Sequence, residues 1–265
     1  MLKKRLVGVV TVKDGWAVQS FGYHRYLPLG KPECLVENLD RWGADEILVQ
    51  VIDRSKNESG PDFQLLETLG KLGLETPLIY SGGVRSVADG MKLIQLGADR
   101  IIVDSLLHKD LDIIRDISEK LGAQAVIGSL PLSWKNNEIQ LLNYQSKDLV
   151  SISDGILELI QSGIISEILI SDWEHEGMPG SFDSKLVEKF PLKNISIIAF
   201  GGISQSDQMR VLLEYSEIVA VAIGNFLSYH EHSIQKYKEA LIGMPIRLAS
   251  YESKFLLIAN TDVQN

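Results

Sequence analysis

The strongest constraint on the fold of this chain is a series of eight short apolar runs that recur along its 265 residues. Almost every residue within a run is apolar, which is typical of parallel strands that are buried on both faces. The predicted strands are Leu6–Val12, Ile47–Ile52, Pro77–Tyr80, Ile101–Val103, Ala125–Ile127, Ile168–Ile170, Ile195–Phe200 and Ile218–Ile223.

Segments with helical spacing lie between these runs, for example the stripe Leu65, Leu66 and Leu69. Ser86 and Ser206 stand where helix N-caps belong, because a serine side chain can accept a hydrogen bond from the first helical turn. Strands that alternate with helices eight times in a chain of this length predict an α/β fold, a (βα)8 TIM barrel. A doubly wound open sheet is the alternative, but eight units favour closure.

One domain is expected over residues 1–265, with a loosely held tail over residues 252–265. Hydrophobic residues make up 45% of the chain, which is enough to fill one large core. The insert around Trp134–Gln145 is predicted to form a small hairpin after the fifth strand.

The two halves of the chain resemble each other, which predicts a half-barrel internal repeat. The stretch Asp45–Leu48 matches Ser166–Leu169, and Asp62 matches Asp183 at the same offset without a gap. A period close to half the chain indicates a doubled half-barrel and not a solenoid of short repeats. A site built from the equivalent loops should therefore have two-fold pseudo-symmetry.

Charge and cysteine content exclude several classes of protein. Acidic residues outnumber basic ones by 35 to 26, a formal net charge of −9, which argues against a general binder of nucleic acid or membrane surfaces. The single cysteine, Cys34, excludes an internal disulfide and a cysteine-based zinc cluster. The apolar run near the start is too short for a signal peptide or a membrane span, so a cytoplasmic protein is expected.

Paired glycines at the ends of strands are the clearest candidate binding residues. Such glycines leave backbone N–H groups free to hold a phosphate at the start of the following helix. The alternative is that they only permit tight turns, but pairs at equivalent places in both halves favour phosphate binding. The predicted set is Gly82, Gly83, Asp104 and Ser105 in the first half, and Gly201, Gly202, Gly224 and Asn225 in the second.

Four charged residues open strands one, two, four and six: Arg5, Glu46, Arg100 and Glu167. At the first inward position of a barrel, two cations and two anions could form a ring at the N-terminal mouth. The alternative is four solvated charges at strand edges, each of which contributes little.

Together these stretches identify a family resemblance. The chain resembles the cyclase subunit of imidazole glycerol phosphate synthase, a barrel that receives ammonia from a glutaminase. The resemblance rests on "LKKRLVGVVTVKDG", "GADEILVQVID", "SGGVRSVADGMKLIQLGADRIIVDS", "GAQAVIGS", "SEILIS", "IIAFGGISQSDQ" and "PIRL", in this order along the chain.

The resemblance implies a role for several residues. The four strand-opening charges fall on the family's ammonia gate, and beyond them an apolar bore would be lined by residues such as Val49 and Leu169. Asp99 and Gln124 fall on the face that docks the glutaminase, which would be a separate subunit. Gly177, in the sixth loop, joins the phosphate-binding set. Neither a metal nor a cofactor is implied.

Departures from the family pattern concern the catalytic positions. The family has a catalytic aspartate at the end of strand one and another at the end of strand five, where this chain has Thr11 and Pro131. Ring closure needs two carboxylates that move protons, and neither threonine nor proline can do so at neutral pH. The resemblance therefore implies that cyclase chemistry is lost.

Three functions remain open. In the preferred one, the barrel channels ammonia for surface-sugar amidination, as in a branch of the family from polysaccharide clusters, with a sugar amidotransferase as a further partner. In the second, it is a genuine cyclase of histidine biosynthesis that uses displaced carboxylates, namely Asp53, Asp104 or Glu176. In the third, it is a non-catalytic phosphate-binding barrel.

Two smaller features allow alternatives. Glu174, His175 and Glu176 in the sixth loop could bind a metal or act in acid–base chemistry, but a solvated loop is favoured because neighbours in an extended loop point to different sides. Lys13 could contact a substrate phosphate, or it could form a turn with Asp14.

Overall fold

The apolar runs fold into strands near the predicted bounds in the computed structural model, which describes residues 3–250. The strands are β1 (Arg5–Lys13), β2 (Trp16–Phe21), β3 (Arg25–Gly30), β4 (Glu46–Val51), β5 (Leu78–Ser81), β6 (Arg100–Val103), β7 (Val126–Lys135), β8 (Glu138–Asn143), β9 (Asp148–Val150), β10 (Glu167–Asp172), β11 (Ile197–Phe200) and β12 (Ile218–Ile223).

Helices follow the strands, as their apolar stripes predict. They are α1 (Pro32–Arg41), α2 (Phe63–Gly70), α3 (Val87–Gln95), α4 (Ser105–Lys109), α5 (Leu111–Leu121), α6 (Asp154–Gln161), α7 (Lys185–Glu188), α8 (Ser206–Glu214) and α9 (Ser233–Ala240). Ser86 caps α3 as predicted, because its side chain accepts from the N–H of Asp89. Ser206 is instead the first residue of α8, and the N-cap is Gln205, so that prediction is wrong by one residue.

The eight parallel strands close into a barrel, which confirms the TIM-barrel prediction and excludes the open sheet. Their order around the barrel is β10-β11-β12-β1-β4-β5-β6-β7, and β7 pairs with β10 to complete the ring. The chain leaves each barrel strand at its C-terminal end and returns through helices that pack outside the barrel, so the loops of that end surround its mouth.

Apolar side chains form two buried layers. The larger layer lies between the strands and the helices. The smaller layer fills the interior of the barrel and consists of Val7, Val9, Leu48, Ile79, Ile102, Ile127, Leu169, Ile198, Phe200, Ala220 and Ala222. Strands buried on both faces therefore account for the continuous apolar runs in the sequence.

A repeated aspartate sets where two strands begin. In each "GAD" stretch the aspartate lies directly before a barrel strand and bonds to the neighbouring barrel strand: Asp45 accepts from the N–H of Leu6 on β1, and Asp99 from the N–H of Leu78 on β5, both at 2.7 Å. Asp45 also contacts Nζ of Lys238 at 2.8 Å, and this ion pair is fully buried. Helix α9 is thereby tied to the N-terminal end of the barrel.

Two antiparallel additions extend over the C-terminal mouth. Strands β2 and β3 form a hairpin after β1, which the sequence did not predict. The predicted hairpin after the fifth barrel strand is present, formed by β7 and β8, and β9 adds a third strand to it.

Within residues 3–250, the helices are all too short or too polar to cross a membrane. The predicted loose tail, residues 252–265, lies outside the described residues. The single domain over residues 1–265 stays a prediction.

Candidate functional site

Four charged side chains converge at the N-terminal end of the barrel and form a closed ring of ion pairs. Glu46 Oε1 lies 2.9 Å from Nη1 of Arg5 and 3.3 Å from Nη1 of Arg100. Glu167 Oε2 lies 2.8 Å from Nη2 of Arg5 and 3.0 Å from Nη1 of Arg100. Each carboxylate thus contacts both guanidinium groups, and the four charges cancel. We call this set the charged ring.

Burial shapes the electrostatics of the charged ring. The four side chains are each at most 14% exposed. Burial raises the pKa of Glu46, although Arg5 and Arg100 oppose that rise. Arg100 is held further by Nε, which donates to the carbonyl of Gln124 at 3.0 Å, and by Nη2, which donates to Ser166 Oγ at 2.9 Å. A lysine could not make this set of contacts, since its side chain has a single nitrogen.

The predicted docking residues border the charged ring. Asp99 directly precedes β6 and Gln124 lies two residues before β7, at the same end of the barrel, and both are exposed. The side chain of Asp99 accepts from the N–H of Leu78, so its carboxylate also caps β5. Their place at this face is compatible with docking, which stays a prediction.

The interior of the barrel beyond the charged ring is apolar. Leu169 faces the interior as predicted, but Val49 does not: it packs between the sheet and the helices, and Leu48 takes the inward place. The reason is strand geometry, because Glu46 points inward and every second residue after it shares that face.

Neutral polar side chains replace the apolar ones at the C-terminal end. Ser81, Ser129 and Ser171 line a central cavity of about 380 Å³ together with Gln50 and Pro131. Oε1 of Gln50 is buried and has no hydrogen-bond partner among residues 3–250. The uncharged layer therefore contains an acceptor that could bind a small donor.

Tyr23 closes the interior from above. Its ring packs against the inner apolar layer, and its hydroxyl lies 3.5 Å from both Ser171 Oγ and Gln50 Nε2. Burial of the hydroxyl raises the pKa of Tyr23, so the group stays protonated at neutral pH. No local sequence pattern predicts this contact, because Tyr23 reaches the barrel only through the β2–β3 hairpin.

The two positions that the resemblance connects with catalytic aspartates lie inside the barrel. Thr11 is buried on β1 opposite Gln50, and Pro131 on β7 lies opposite Ser171. Neither side chain can donate or accept a proton at neutral pH. The C-terminal mouth therefore lacks a carboxylate at both places.

The glycine loops of the second half form a small pocket, here called the second-half cradle (Gly177, Gly201, Gly202, Gly224 and Asn225). Its volume is about 10 Å³, at the lower limit for one water molecule. Among residues 3–250, nothing accepts a hydrogen bond from the backbone N–H groups of Gly202 or Asn225. These free donors are what an anion would need.

The β2–β3 hairpin covers the second-half cradle. Glu176 Oε2 accepts from Ser20 Oγ at 3.0 Å and from the N–H of Tyr23 at 3.3 Å. Asn225 bonds to both the N–H and the carbonyl of Ser20. Burial raises the pKa of Glu176, although the donors of the hairpin oppose that rise. Access to this cradle therefore requires movement of the hairpin.

The equivalent loops of the first half, the first-half cradle (Gly82, Gly83, Asp104 and Ser105), are occupied by protein groups. The N–H of Gly83 donates to Ser55 Oγ at 3.0 Å, and the N–H of Ser105 donates to the carboxylate of Asp104. Phosphate binding at this cradle stays a prediction, but its donors already have acceptors.

A second cavity of about 440 Å³ adjoins the central one. Lys13 lies there in an ion pair with Asp14, whose N–H donates to Asp53 at 2.8 Å. Lys56 and Lys147 line both cavities, and among residues 3–250 neither has an acidic side chain within ion-pair distance. The turn predicted as an alternative for Lys13 is present.

The sixth-loop residues turn to different partners. Glu174 pairs with Lys135 at 2.5 Å, His175 Nδ1 lies 2.7 Å from Asp172, and Glu176 bonds to the hairpin. Within residues 3–250, no group of three such side chains is arranged to hold a metal ion. The favoured solvated loop is wrong for Glu176, which is 3% exposed.

Comparison with known proteins connects this geometry with one family. Residues 5–235 match the model of the family described as histidine biosynthesis protein. A Vibrio vulnificus protein provisionally named imidazole glycerol phosphate synthase subunit hisF2 is 28% identical over 236 residues, 88% of this chain and 86% of that protein. Imidazole glycerol phosphate synthase subunit HisF of Staphylococcus epidermidis is 29% identical over 248 residues (91% and 97%), and that of Natranaerobius thermophilus is 25% identical over 253 residues (94% and 100%).

Proposed function

Because this chain belongs to the histidine biosynthesis protein family, as a divergent relative of the HisF subunits, we propose that it receives ammonia from a separate glutaminase subunit. The ammonia passes through the charged ring and the apolar interior to the C-terminal mouth. There it is delivered to a sugar amidotransferase for amidination of a surface sugar, and this barrel carries out no cyclase chemistry.

The observation that carries this proposal is that the barrel has the four charges of the ring but lacks a carboxylate at the two catalytic positions. The four charges that the resemblance assigns to ammonia entry are paired with one another, while Thr11 and Pro131 stand where proton transfer would occur. Beyond the charged ring the route suits neutral ammonia, because Thr11 and Pro131 offer neither a carboxylic acid that would protonate it nor a carboxylate that would hold it as ammonium. The unpartnered Oε1 of Gln50 supplies a neutral acceptor along that route.

A phosphorylated small molecule is the proposed ligand of the C-terminal mouth. The free N–H groups of the second-half cradle support phosphate binding there, provided that the β2–β3 hairpin moves aside. The cytoplasm stays the predicted location. Net charge and hydropathy are the grounds on which we propose no nucleic-acid or membrane partner.

The test is an assay of the purified protein with ammonia and the ribonucleotide substrate of the histidine pathway. We expect no turnover, whereas the complex with its glutaminase should hydrolyse glutamine. Ammonia-dependent cyclase turnover at ordinary enzymatic rates would overturn the proposal. Genes for sugar-nucleotide enzymes beside this one would support it, and histidine-pathway genes would count against it.

A genuine cyclase is the second candidate, favoured by the names of the HisF relatives. It would need a displaced carboxylate. Asp104 lines the central cavity, whereas Asp53 lies in the neighbouring one and Glu176 is bonded to the hairpin. Loss of turnover in Asp104→Asn, after turnover in the unaltered protein, would support this candidate.

A further inference from the structure

Asp104 distinguishes the two cradles of the barrel. It follows β6 in the first half, and Gly224 follows β12 at the equivalent place in the second half. Glycine adds no side chain to the second-half cradle, whereas Asp104 places a carboxylate in the first-half cradle. The internal repeat thus holds two sites of the same backbone design but of different charge.

Protein groups already use the donors of the first-half cradle. Asp104 Oδ1 accepts from the N–H of Ser105, from the hydroxyl of Tyr144 at 2.9 Å and from the hydroxyl of Ser55 at 3.4 Å. The N–H of Gly83 donates to Ser55 Oγ. A phosphate at this place would have to displace both acceptors before it could bind either N–H group.

The charge of Asp104 also opposes phosphate binding at the first-half cradle. A phosphate on the N–H of Ser105 would lie in contact with the carboxylate of Asp104, and like charges at about 4 Å in a partly buried site weaken binding by more than about a hundredfold. Lys56 and Lys147 line the same cavity, but both are exposed and neither lies within ion-pair distance of Asp104. Among residues 3–250, therefore, no ion pair neutralises Asp104 on the cavity side.

The second oxygen of Asp104 is free to bind a ligand. Oδ2 has no hydrogen-bond partner among residues 3–250, and it is not sealed from solvent. Asp104 also lines the central cavity of about 380 Å³, which is large enough for a small metabolite. A carboxylate oxygen held in place through its neighbour is a rigid acceptor for an N–H or O–H donor.

We infer that the ligand of this barrel carries a single phosphate, bound at the second-half cradle, and that Asp104 Oδ2 accepts from an amine or hydroxyl at the ligand's other end. Asp104 thus selects a phosphate monoester that bears a donor and rejects a bisphosphate. The inference rests on the proposed phosphate binding, and the experiments below separate the two.

Crystals of the protein soaked in inorganic phosphate test whether only the second-half cradle binds phosphate. We expect one anion in the unaltered protein, on the N–H groups of Gly202 and Asn225, and a second one on Gly83 and Ser105 in Asp104→Gly. Asp116→Asn, on the exposed face of α5, is the control for an altered net charge and should bind one anion. An anion at the first-half cradle of the unaltered protein, or none there in Asp104→Gly, would overturn the inference. An empty second-half cradle would overturn the proposed phosphate binding instead.

Binding of ω-aminoalkyl phosphates and of matching alkyl phosphates in solution tests whether Asp104 accepts a hydrogen bond from the ligand. At the chain length that spans the cavity, the unaltered protein should bind the amine about tenfold more tightly than its alkyl counterpart. Asp104→Asn keeps the shape of the side chain and should abolish this preference, whereas Asp116→Asn should preserve it. Equal affinity for amine and alkyl compounds at every chain length would show that Asp104 does not bind the ligand.

Discussion

At the N-terminal end of the barrel four charged side chains face inward and neutralise one another, whereas at the C-terminal end the inward side chains of the same strands are mostly neutral. Glu46 and Gln50 illustrate this on a single strand, since both point inward from β4. On β10, Glu167 and Ser171 repeat the pattern. The N-terminal end thus carries four paired charges, while Thr11 and Pro131 stand at the two C-terminal positions that the resemblance connects with catalytic aspartates.

The two ends of the barrel differ in how strongly their inward side chains depend on one another. Paired charges at the entrance depend on each other, because removal of one leaves a buried ion without a partner. Neutral hydroxyl and amide groups line the C-terminal end, and removal of one of them leaves no buried ion without a partner. Substitutions at the two ends of the barrel therefore test this difference.

Cyclase activity should be absent, and restoring one acid should not bring it back. A catalytic acid or base contributes about 10²–10⁴-fold to the rate, so Thr11→Asp still lacks the second group because Pro131 remains. The measurement is turnover of the histidine-pathway ribonucleotide with free ammonia. Thr11→Asn is the control of equal size, and it should be as inactive as Thr11→Asp. Activity in Thr11→Asp alone would contradict the view that both positions are needed.

Glu167→Ala should uncouple glutamine use from product formation in the complex with glutaminase. The change leaves Arg5 and Arg100 each without one partner, and it should lower the free energy of unfolding by about 3 kcal/mol. Product made from glutamine should fall severalfold, while product made from free ammonia should not.

Glu158→Ala, on the exposed face of α6, provides the control and should leave both nitrogen sources equally effective. An equal loss with glutamine and with free ammonia in Glu167→Ala would mean that the charged ring only supports the fold.

Arg100→Lys should have a smaller effect than Glu167→Ala. Lysine keeps the positive charge of the ring but loses the contacts to the Gln124 carbonyl and Ser166 Oγ. We expect urea denaturation to show a loss of about 1–2 kcal/mol, with coupling between glutamine and product unchanged. Loss of coupling without loss of stability would show that the guanidinium shape, and not its charge, controls entry.

The smallest effect concerns the pH dependence of stability. Burial raises the pKa of Glu176 above the ordinary carboxyl value of 4.5, so the folded protein binds a proton more tightly there than the unfolded chain does. The free energy of unfolding should therefore fall as the pH rises from 4.5 through the raised pKa. Glu176→Gln cannot ionise, and its stability should fall less over the same range. An identical slope in both proteins would place the pH dependence elsewhere, for example at Glu46.

Local sequence patterns were enough to predict the barrel and its entrance. Strand positions follow from apolar runs, and closure follows from eight strand–helix units. Arg5, Glu46, Arg100 and Glu167 each open a strand, so the same pattern places all four at one end. Nothing but strand register is needed to bring them together, since adjacent parallel strands begin at the same edge of the sheet.

The direction of each inward side chain was harder to predict, as Val49 shows. An apolar run with no alternation looks the same from either face, so it does not reveal whether Val49 or Leu48 lines the interior. A charged residue that faces inward at the start of the strand removes that ambiguity. Because Glu46 faces inward, Leu48 must do so as well.

Residues near one another in the chain are sufficient to predict the strand positions, the glycine loops and the lack of a carboxylate at Thr11 and Pro131. The side chains that fill the C-terminal mouth come together from distant parts of the chain. Tyr144 reaches Asp104 across 40 residues, and Asn225 reaches Ser20 across 205. Such contacts depend on barrel closure and on the path of two hairpins over the mouth, and no local pattern encodes that path.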